Sequence, residues 1–371
     1  MSAGADRLAL YFLRLGATGF GGPIVLVEHM RRDLVEERGW FTLEEYRDGL
    51  ALSQLAPGPL AAQLAVCLGW IRGGVAGATA AGFAFVAPSL AMVLVLSALY
   101  VRFGGLPWMA SAFYGVGAVV IAIIARSAFK FARGTLGRDR LLWGVCAANA
   151  LTTAWTGTEL LPVFLAGGVV VMLARGHRLP LRWPVLALVP PPVLAGAALH
   201  GQLLVFFAKA SLVVFGSGLA VVPFLYGGVV QEYGWLNDRQ FLDAVAVSML
   251  TPGPVVITVA FIGYLVAGLG GALVAAAGMF IPVWLVVLVL APSFHRVRRH
   301  AAIGAFVEGI TAGAAGAIAG AVYVLGTRAI TDPATALVAL GGLALLHKRI
   351  AVPEPVLILA GGVAGMLLSP G

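Results

Sequence analysis

The chain has 371 residues, of which 60% are hydrophobic and only 11% charged, against about 25% charged residues in soluble domains. That balance excludes an ordinary globular protein and describes a polytopic membrane protein whose whole length is one membrane domain. The net charge of +8 sits in short loops between apolar runs rather than in a basic stripe with interleaved aromatics, so the partner it implies is the lipid bilayer and not nucleic acid.

In chain order, residues 1–7 lack the features of a cleaved secretory signal, so the first apolar run is expected to be kept. Apolar runs follow at about 8–27, 47–71, 74–101, 108–129, 141–156, 160–174, 183–199, 203–230, 240–267, 270–292, 302–326, 334–347 and 353–369. If each crosses once, they predict about thirteen spans. The segment from Glu28 to Arg47 is too polar to span and reads as an interfacial helix or ordered loop anchored by Trp40. Pro190-Pro191-Pro192 is expected to bend the seventh run. Cys67 and Cys146 lie far apart in apolar runs and read as core cysteines, with no disulfide, metal site or cofactor expected.

One stretch occurs twice. From Phe12 to Pro59 the chain matches Phe207 to Pro254 at a constant offset of 195 residues, pairing Trp40 with Trp235, Asp48 with Asp243 and Ser53 with Ser248. Beyond Pro59 the offset becomes 194, so that Gly77 meets Gly271, Pro88 meets Pro282 and Gly115 meets Gly309. The expected organisation is one repeat over 1–182, a connecting span over 183–200 and a second repeat over 201–371. Lys130, Arg133, Arg138 and Arg140, then Arg175, Arg178 and Arg182, then Arg296, Arg298 and Arg299, then Lys348 and Arg349 fall on one side if every run crosses once. By the positive-inside rule that side is the cytoplasm, with the N-terminus inside. Seven spans would then separate the two copies, inserting them upside down relative to each other. The predicted fold is therefore an all-α polytopic membrane protein of two homologous halves in inverted topology, with interrupted helices, an architecture shared by many secondary transporters.

The interruptions are Phe20-Gly21-Gly22-Pro23 and Pro57-Gly58-Pro59 in the first copy, and Phe215-Gly216-Ser217-Gly218 and Pro252-Gly253-Pro254 in the second. Glycine and proline break a helix and expose backbone amides, and a proline at the first helical position starts a new half-helix whose positive dipole end faces the break. Four such ends from two inverted halves form a natural receptor for an anion. Ser53, Gln54 and Gln63 in one copy, and Ser248, Thr251 and Thr258 in the other, are hydrogen-bonding candidates beside the breaks. The competing reading is that hydroxyls in membrane helices bond their own backbone. Arg14 and Lys209 match in otherwise apolar helices and could neutralise a bound dianion, or snorkel to the interface. Asp48 and Asp243 are candidates to carry a coupling proton or to cap the first turn of their half-helices, and Glu308 is a candidate for proton handling or for pairing with Arg14 or Lys209.

At these residues the sequence resembles the chromate ion transporter family in its long, two-domain form. The resemblance covers nearly the whole chain and rests on Phe20-Gly21-Gly22-Pro23, Arg38-Gly39-Trp40, Pro57-Gly58-Pro59, Phe215-Gly216-Ser217-Gly218, Gly234-Trp235-Leu236, Thr251-Pro252-Gly253-Pro254 and Gly263-Tyr264. It implies efflux of chromate from a bacterial cytoplasm across the inner membrane, driven by membrane potential or proton gradient and conferring chromate resistance. Sulfate would compete as an analogue. The chain departs from the usual pattern at Ser217, Gln54 and Ala61. The alternative within the class is uptake or exchange of sulfate or another tetrahedral oxyanion. An intramembrane enzyme finds no support, since His-Glu-x-x-His, Gly-x-Ser-x-Gly and Cys-x-x-Cys are absent. A channel or purely structural bundle would differ in showing unsaturable flux or none. A homodimer is the candidate assembly.

Overall fold

In a chain this apolar, backbone polar groups must be satisfied within helices or beside a wet cavity. The computed structural model describes residues 4–103, 106–177, 199–215, 218–293, 300–347 and 352–369, and every regular element among them is helical. Most of the expected connecting span, Pro190-Pro191-Pro192, Gly216, Ser217, Arg178, Arg182, Arg296, Arg298, Arg299, Lys348 and Arg349 lie outside the described residues.

The first repeat comprises α1 (Ala5–Thr18), α2 (Pro23–Arg31, continued by a π-helical turn Arg32–Glu37), α3 (Leu43–Leu55), α4 (Leu60–Phe103), α5 (Pro107–Leu136), α6 (Arg140–Thr156) and α7 (Leu161–Ala174). The second comprises α8 (Leu199–Val213), α9 (Val221–Tyr226, flanked by a 3-10 turn Gly218–Ala220 and a π-helical turn Gly227–Glu232), α10 (Asp238–Leu250), α11 (Thr258–Leu290, preceded by a 3-10 turn Val255–Ile257), α12 (Ala301–Ala329), α13 (Pro333–His347) and α14 (Glu354–Leu368). The duplication extends to helix caps. Thr42 and Glu45 form a capping box on α3, and Asn237 and Gln240 form the same box on α10. Asp48 and Asp243 lie inside those helices, so the capping role entertained for them belongs to Thr42 and Asn237 instead.

The interrupted runs do not cross. Tyr11 donates to Asp33 at 3.2 Å, and Arg72 reaches Glu45 at 3.4 Å, so α1 with α2, and α3 with the first arm of α4, run out and back. Helices α1 and α3, of 14 and 13 residues, are about 20 Å long, shorter than a hydrocarbon core of about 30 Å. In the second repeat Phe206 of α8 likewise packs on Tyr233 and Trp235, so the chain doubles back at hairpin tips formed by its glycine-proline breaks, on arms too short to cross a hydrocarbon core. Helix α4 itself reverses at Gly73 and Gly74, where the backbone leaves helical angles, and α11 does so at the equivalent Ala267 and Gly268. The count of about thirteen single crossings is corrected accordingly: the runs at 8–27, 47–71, 203–230 and 240–267 are re-entrant. A run of 25 apolar residues is as long as a span, and its local pattern does not say where it turns.

Inversion is read from helix directions. Gly117 of α5 faces Ala329 of α12, while Ile121 faces Gly326, so these equivalent helices run antiparallel. The halves are also interlocked. Helices α6 and α7 pack on α12 of the other repeat, and α13 and α14 pack on α5. Close approach of small residues, such as Gly115 with Gly361 and Gly365, brings these helices together. Apolar side chains such as Phe83, Leu151, Trp155, Leu340 and Leu367 cover the outside, as lipid contact requires. At the end where α1 begins, Arg175 pairs with both Asp139 and Glu308. The Leu141 amide, with help from Arg175, holds the Asp139 carboxyl below the usual carboxylate range.

Candidate functional site

The four tips meet. One hollow is lined by Gly21, Pro23 and Leu26 from the first break, Pro59 and Ala61 from the second, Gly218 from the third, and Gly253, Pro254, Val255 and Val256 from the fourth. Two equivalent backbone hydrogen bonds tie the repeats there: the Gly58 amide donates to the Val214 carbonyl at 2.6 Å, and the Gly253 amide donates to the Gly19 carbonyl at 2.8 Å. Gly58 and Gly253 have φ of 132° and 96°, a region that side chains with a Cβ avoid. These turns need glycine because the backbone of one repeat must reach the backbone of the other.

Each half-helix begins with amides that have no helical acceptor. The Gln63 amide is the first in its arm to find one, at Pro59 (2.9 Å), and the Ile257 amide does so at Pro254 (2.9 Å). The residues before them, among them Ala61, Val255 and Val256, line the hollow. No charged side chain lines it among the described residues; the lining is glycine, proline and the apolar side chains of Leu26, Ala61, Val255 and Val256.

The structure sorts the residues singled out in the sequence. Gly21, Pro59, Gly218, Gly253 and Pro254 line the hollow, while Gly22, Pro57, Gly58 and Pro252 belong to the same breaks but are not among its lining residues. The hydroxyls serve the hairpins. Ser53 donates to the Gly49 carbonyl, Ser248 to Val245 and Thr251 to Ser248, at 2.7, 2.7 and 2.9 Å. Thr258 lies 2.6 Å from the Ser248 oxygen and 2.7 Å from the Val255 carbonyl. Gln63 is fully buried; its amide nitrogen donates to the Pro57 carbonyl at 2.5 Å, and its oxygen has no hydrogen-bond partner among the described residues. Gln54 is exposed on α3. Arg14 is exposed and Lys209 half-buried, each about 7 Å before its break by helical rise. Glu308 pairs with Arg175 rather than with Arg14 or Lys209. Asp243 is buried and accepts a hydrogen bond from Tyr100 at 2.6 Å, while Asp48 is half-exposed. Gly216 and Ser217 lie outside the described residues.

Sequence reasoning missed Ser89. Its hydroxyl lies 2.8 Å from the Pro252 carbonyl and 3.2 Å from the Gly16 carbonyl, fastening the second repeat's tip to the first repeat. The available signal was its place next to Pro88, which matches Pro282 in the duplication. Pro23, Leu26, Val255 and Val256 were also missed as lining residues; each follows a break within one turn.

Two interlocked inverted repeats whose broken helices close on one hollow have the architecture of a polytopic membrane transporter. Comparison with known proteins gives the family. The chromate transporter family model matches residues 7–173 and again 201–366, and the chain belongs to that family. It is 53% identical to the chromate transport protein of Cupriavidus metallidurans, over 98% of this chain and 93% of that protein. It is 49% identical to the probable chromate transport protein of Synechococcus elongatus, over 97% and 95% of the two chains. With the chromate transport protein of Pseudomonas aeruginosa the identity is 31%, over 98% and 92%. No solved structure matches the chain at a significant level.

Proposed function

We propose that the protein exports chromate from the bacterial cytoplasm across the inner membrane and so confers chromate resistance, with the dianion bound at the hollow between the four tips. The observation that carries this reading is the convergence of half-helix N-termini from both repeats on one space lined by the glycines, prolines and small apolar residues of the breaks. Relatives named as chromate transport proteins, matched over nearly the whole chain, support the substrate. Arg14 and Lys209, on the helices leading to two of the breaks, would attract the anion before it reaches the amides. Lys130, Arg133, Arg138, Arg140 and Arg175 support placing the end where α1 begins in the cytoplasm.

Energetics favour export. A dianion leaving a cell that is negative inside gains about 2.3 kcal/mol per charge per 100 mV, so potential alone can drive efflux. Where a proton gradient contributes, Asp48, Asp243 and Glu308 are the carboxylates proposed to carry the proton. The test is counterflow in vesicles offering chromate, sulfate and molybdate separately. The expected result is saturable chromate exchange that sulfate inhibits weakly; exchange of sulfate in preference to chromate would replace the substrate, and flux that does not saturate would replace the mechanism.

A further inference from the structure

Of the three carboxylates named for proton handling, one is enclosed. Asp243 on α10 is 3% exposed, whereas its counterpart Asp48 is half-exposed and Glu308 is exposed and paired with Arg175. Asp243 accepts a hydrogen bond from the Tyr100 hydroxyl at 2.6 Å. Tyr100 lies near the end of α4, with its ring set edge-on against Phe113 and Phe261 at centroid distances of 5.6 and 5.2 Å. Helix α4 belongs to the first repeat and α10 to the second, so this bond joins the two.

A carboxylate taken out of water needs a cation partner or a proton. Helix α10 lies against α5, α11, α12 and α14, and among the described residues none of them brings a cation within ion-pair distance of Asp243. Arg239, one turn earlier on α10, donates to the Ala110 carbonyl of α5 at 2.7 Å. Arg328 of α12 lies 3.7 Å from Asp238, and Tyr114 of α5 donates to Asp332 at 2.6 Å. Helix α11 has no charged residue, and Glu354, the one charge on α14, lies in the field of Arg126 and Lys130. Among the described residues the groups that act on the Asp243 charge are Tyr100 and, from a turn away, Arg239. When ionised, the carboxylate is therefore held by one neutral hydroxyl.

We propose that Asp243 is the carboxylate that carries the coupling proton, and that Tyr100 positions it by holding its ionised form across the seam between the repeats. The ionised carboxylate accepts a charge-assisted bond from Tyr100; a bound proton neutralises it and weakens that bond. From Asp243, α10 runs on for about two turns to the tip whose Gly253 and Pro254 line the hollow. Proton occupancy and the setting of that tip thus depend on each other. Asp238, where α10 begins, lies beside Arg328, at the far end of α12 from Glu308. The direction of proton movement rests on the export reading: that end is then the outer face, and a proton enters there and leaves to the cytoplasm as the dianion moves out.

The test uses the full-length protein in proteoliposomes with the membrane potential clamped, chromate loaded inside and the outer medium made acid. The gradient is expected to accelerate wild-type chromate release several-fold, and Asp243→Asn to lose that acceleration while retaining saturable counterflow at equal pH. Chromate speciation is the same for both proteins, so the comparison isolates the carboxylate. Tyr100→Phe is expected to keep the acceleration but to move its dependence on outer pH toward higher pH, because the ionised form has lost its donor; a tyrosine needed only for packing would change the rate alike at every pH. Asp243→Glu is expected to restore part of the acceleration, and with Tyr100→Phe it decides the matter should Asp243→Asn fail to insert. Full acceleration in Asp243→Asn, a Tyr100→Phe profile superimposable on the wild type, or wild-type release indifferent to the gradient would overturn the proposal. A wild-type protein that moves sulfate but not chromate, with an acceleration that Asp243→Asn abolishes, would remove the export reading and leave the proton site standing.

Discussion

The Pro-Gly-Pro tips of the two repeats are equivalent in sequence, yet the carbonyl of the first proline is satisfied from different directions. At Pro57 the donor is Gln63, six residues on in the same repeat; at Pro252 it is Ser89, which belongs to the other repeat. In the duplication Gln63 corresponds to Ile257 and Ser89 to Val283, both apolar. Each copy kept the polar residue that the other lost. Both tips are tied across the seam by their glycine amides, and the second has a further bond across it from Ser89. The side-chain bond at the first tip thus stays inside one repeat, whereas that at the second joins the two.

Adding a methyl group at each tip gives the largest separation between them. A Cβ at residue 253 would collide with the Ser89 oxygen and lie 3.2 Å from the Gly16 carbonyl, whereas one at residue 58 would lie 2.9 Å from the ends of the Gln63 and Val283 side chains, which can shift. Both residues also have positive φ, which costs roughly 1–2 kcal/mol for any L side chain. Gly253→Ala is expected to abolish chromate counterflow and Gly58→Ala to reduce it about tenfold in protein still present in the membrane. Equal activity of the two variants would mean that the tips are held alike.

Ser89→Val gives the first repeat the residue of its counterpart and leaves the Pro252 carbonyl buried without its donor. That loss costs on the order of 1–3 kcal/mol. The expected outcome is a lower thermal midpoint in detergent and a raised half-saturation for chromate, both restored by Ser89→Thr. Gln63→Ile is expected to lower the midpoint with a smaller effect on half-saturation, since its bond does not join the repeats. A Ser89→Val protein with unchanged half-saturation would show that the seam does not position the site.

How much of this was legible before the structure follows from what each residue type encodes. The duplication, the four breaks and their convergence rest on Gly21, Gly58, Gly253 and their prolines, and backbone requirements of that kind are written locally. The inverted relation was expected for the wrong reason, by counting single crossings, because a 25-residue apolar run looks the same whether it spans or doubles back. The turns of α4 and α11, by contrast, fall at boundaries that the apolar runs already marked, between 47–71 and 74–101 at Gly73-Gly74 and between 240–267 and 270–292 at Ala267-Gly268. Hydroxyls near the tips were candidates either to bind an oxyanion or to bond their own backbone, and Ser53, Ser248 and Thr251 donate to backbone, a choice that depends on rotamers and leaves no mark in the sequence. The fastening by Ser89 joins residues 163 apart, beyond any local pattern.

The smallest expected effect concerns what lies beneath the first hairpin of the second repeat. The α6–α7 loop packs there, with Thr158 against Gly227 and Gly157 against Gln231. The adjacent Glu159 has a buried carboxylate oxygen without a hydrogen-bond partner among the described residues, and burial pushes its carboxyl up to about 8. The counterpart in the duplication is Pro353, the N-cap of α14, which does not titrate. The unfolded chain releases the Glu159 proton near pH 4.5, whereas the folded protein keeps it until about pH 8. Stability from this group is therefore full below the unfolded value and declines as pH rises through that window. Glu159→Gln is expected to flatten the fall in thermal midpoint between pH 6 and pH 8 by roughly a few degrees, with little change at pH 5. If the wild-type and Glu159→Gln curves stay parallel over that range, the loop carries its carboxylate ionised, and the support under the second repeat is no more sensitive to pH than that under the first.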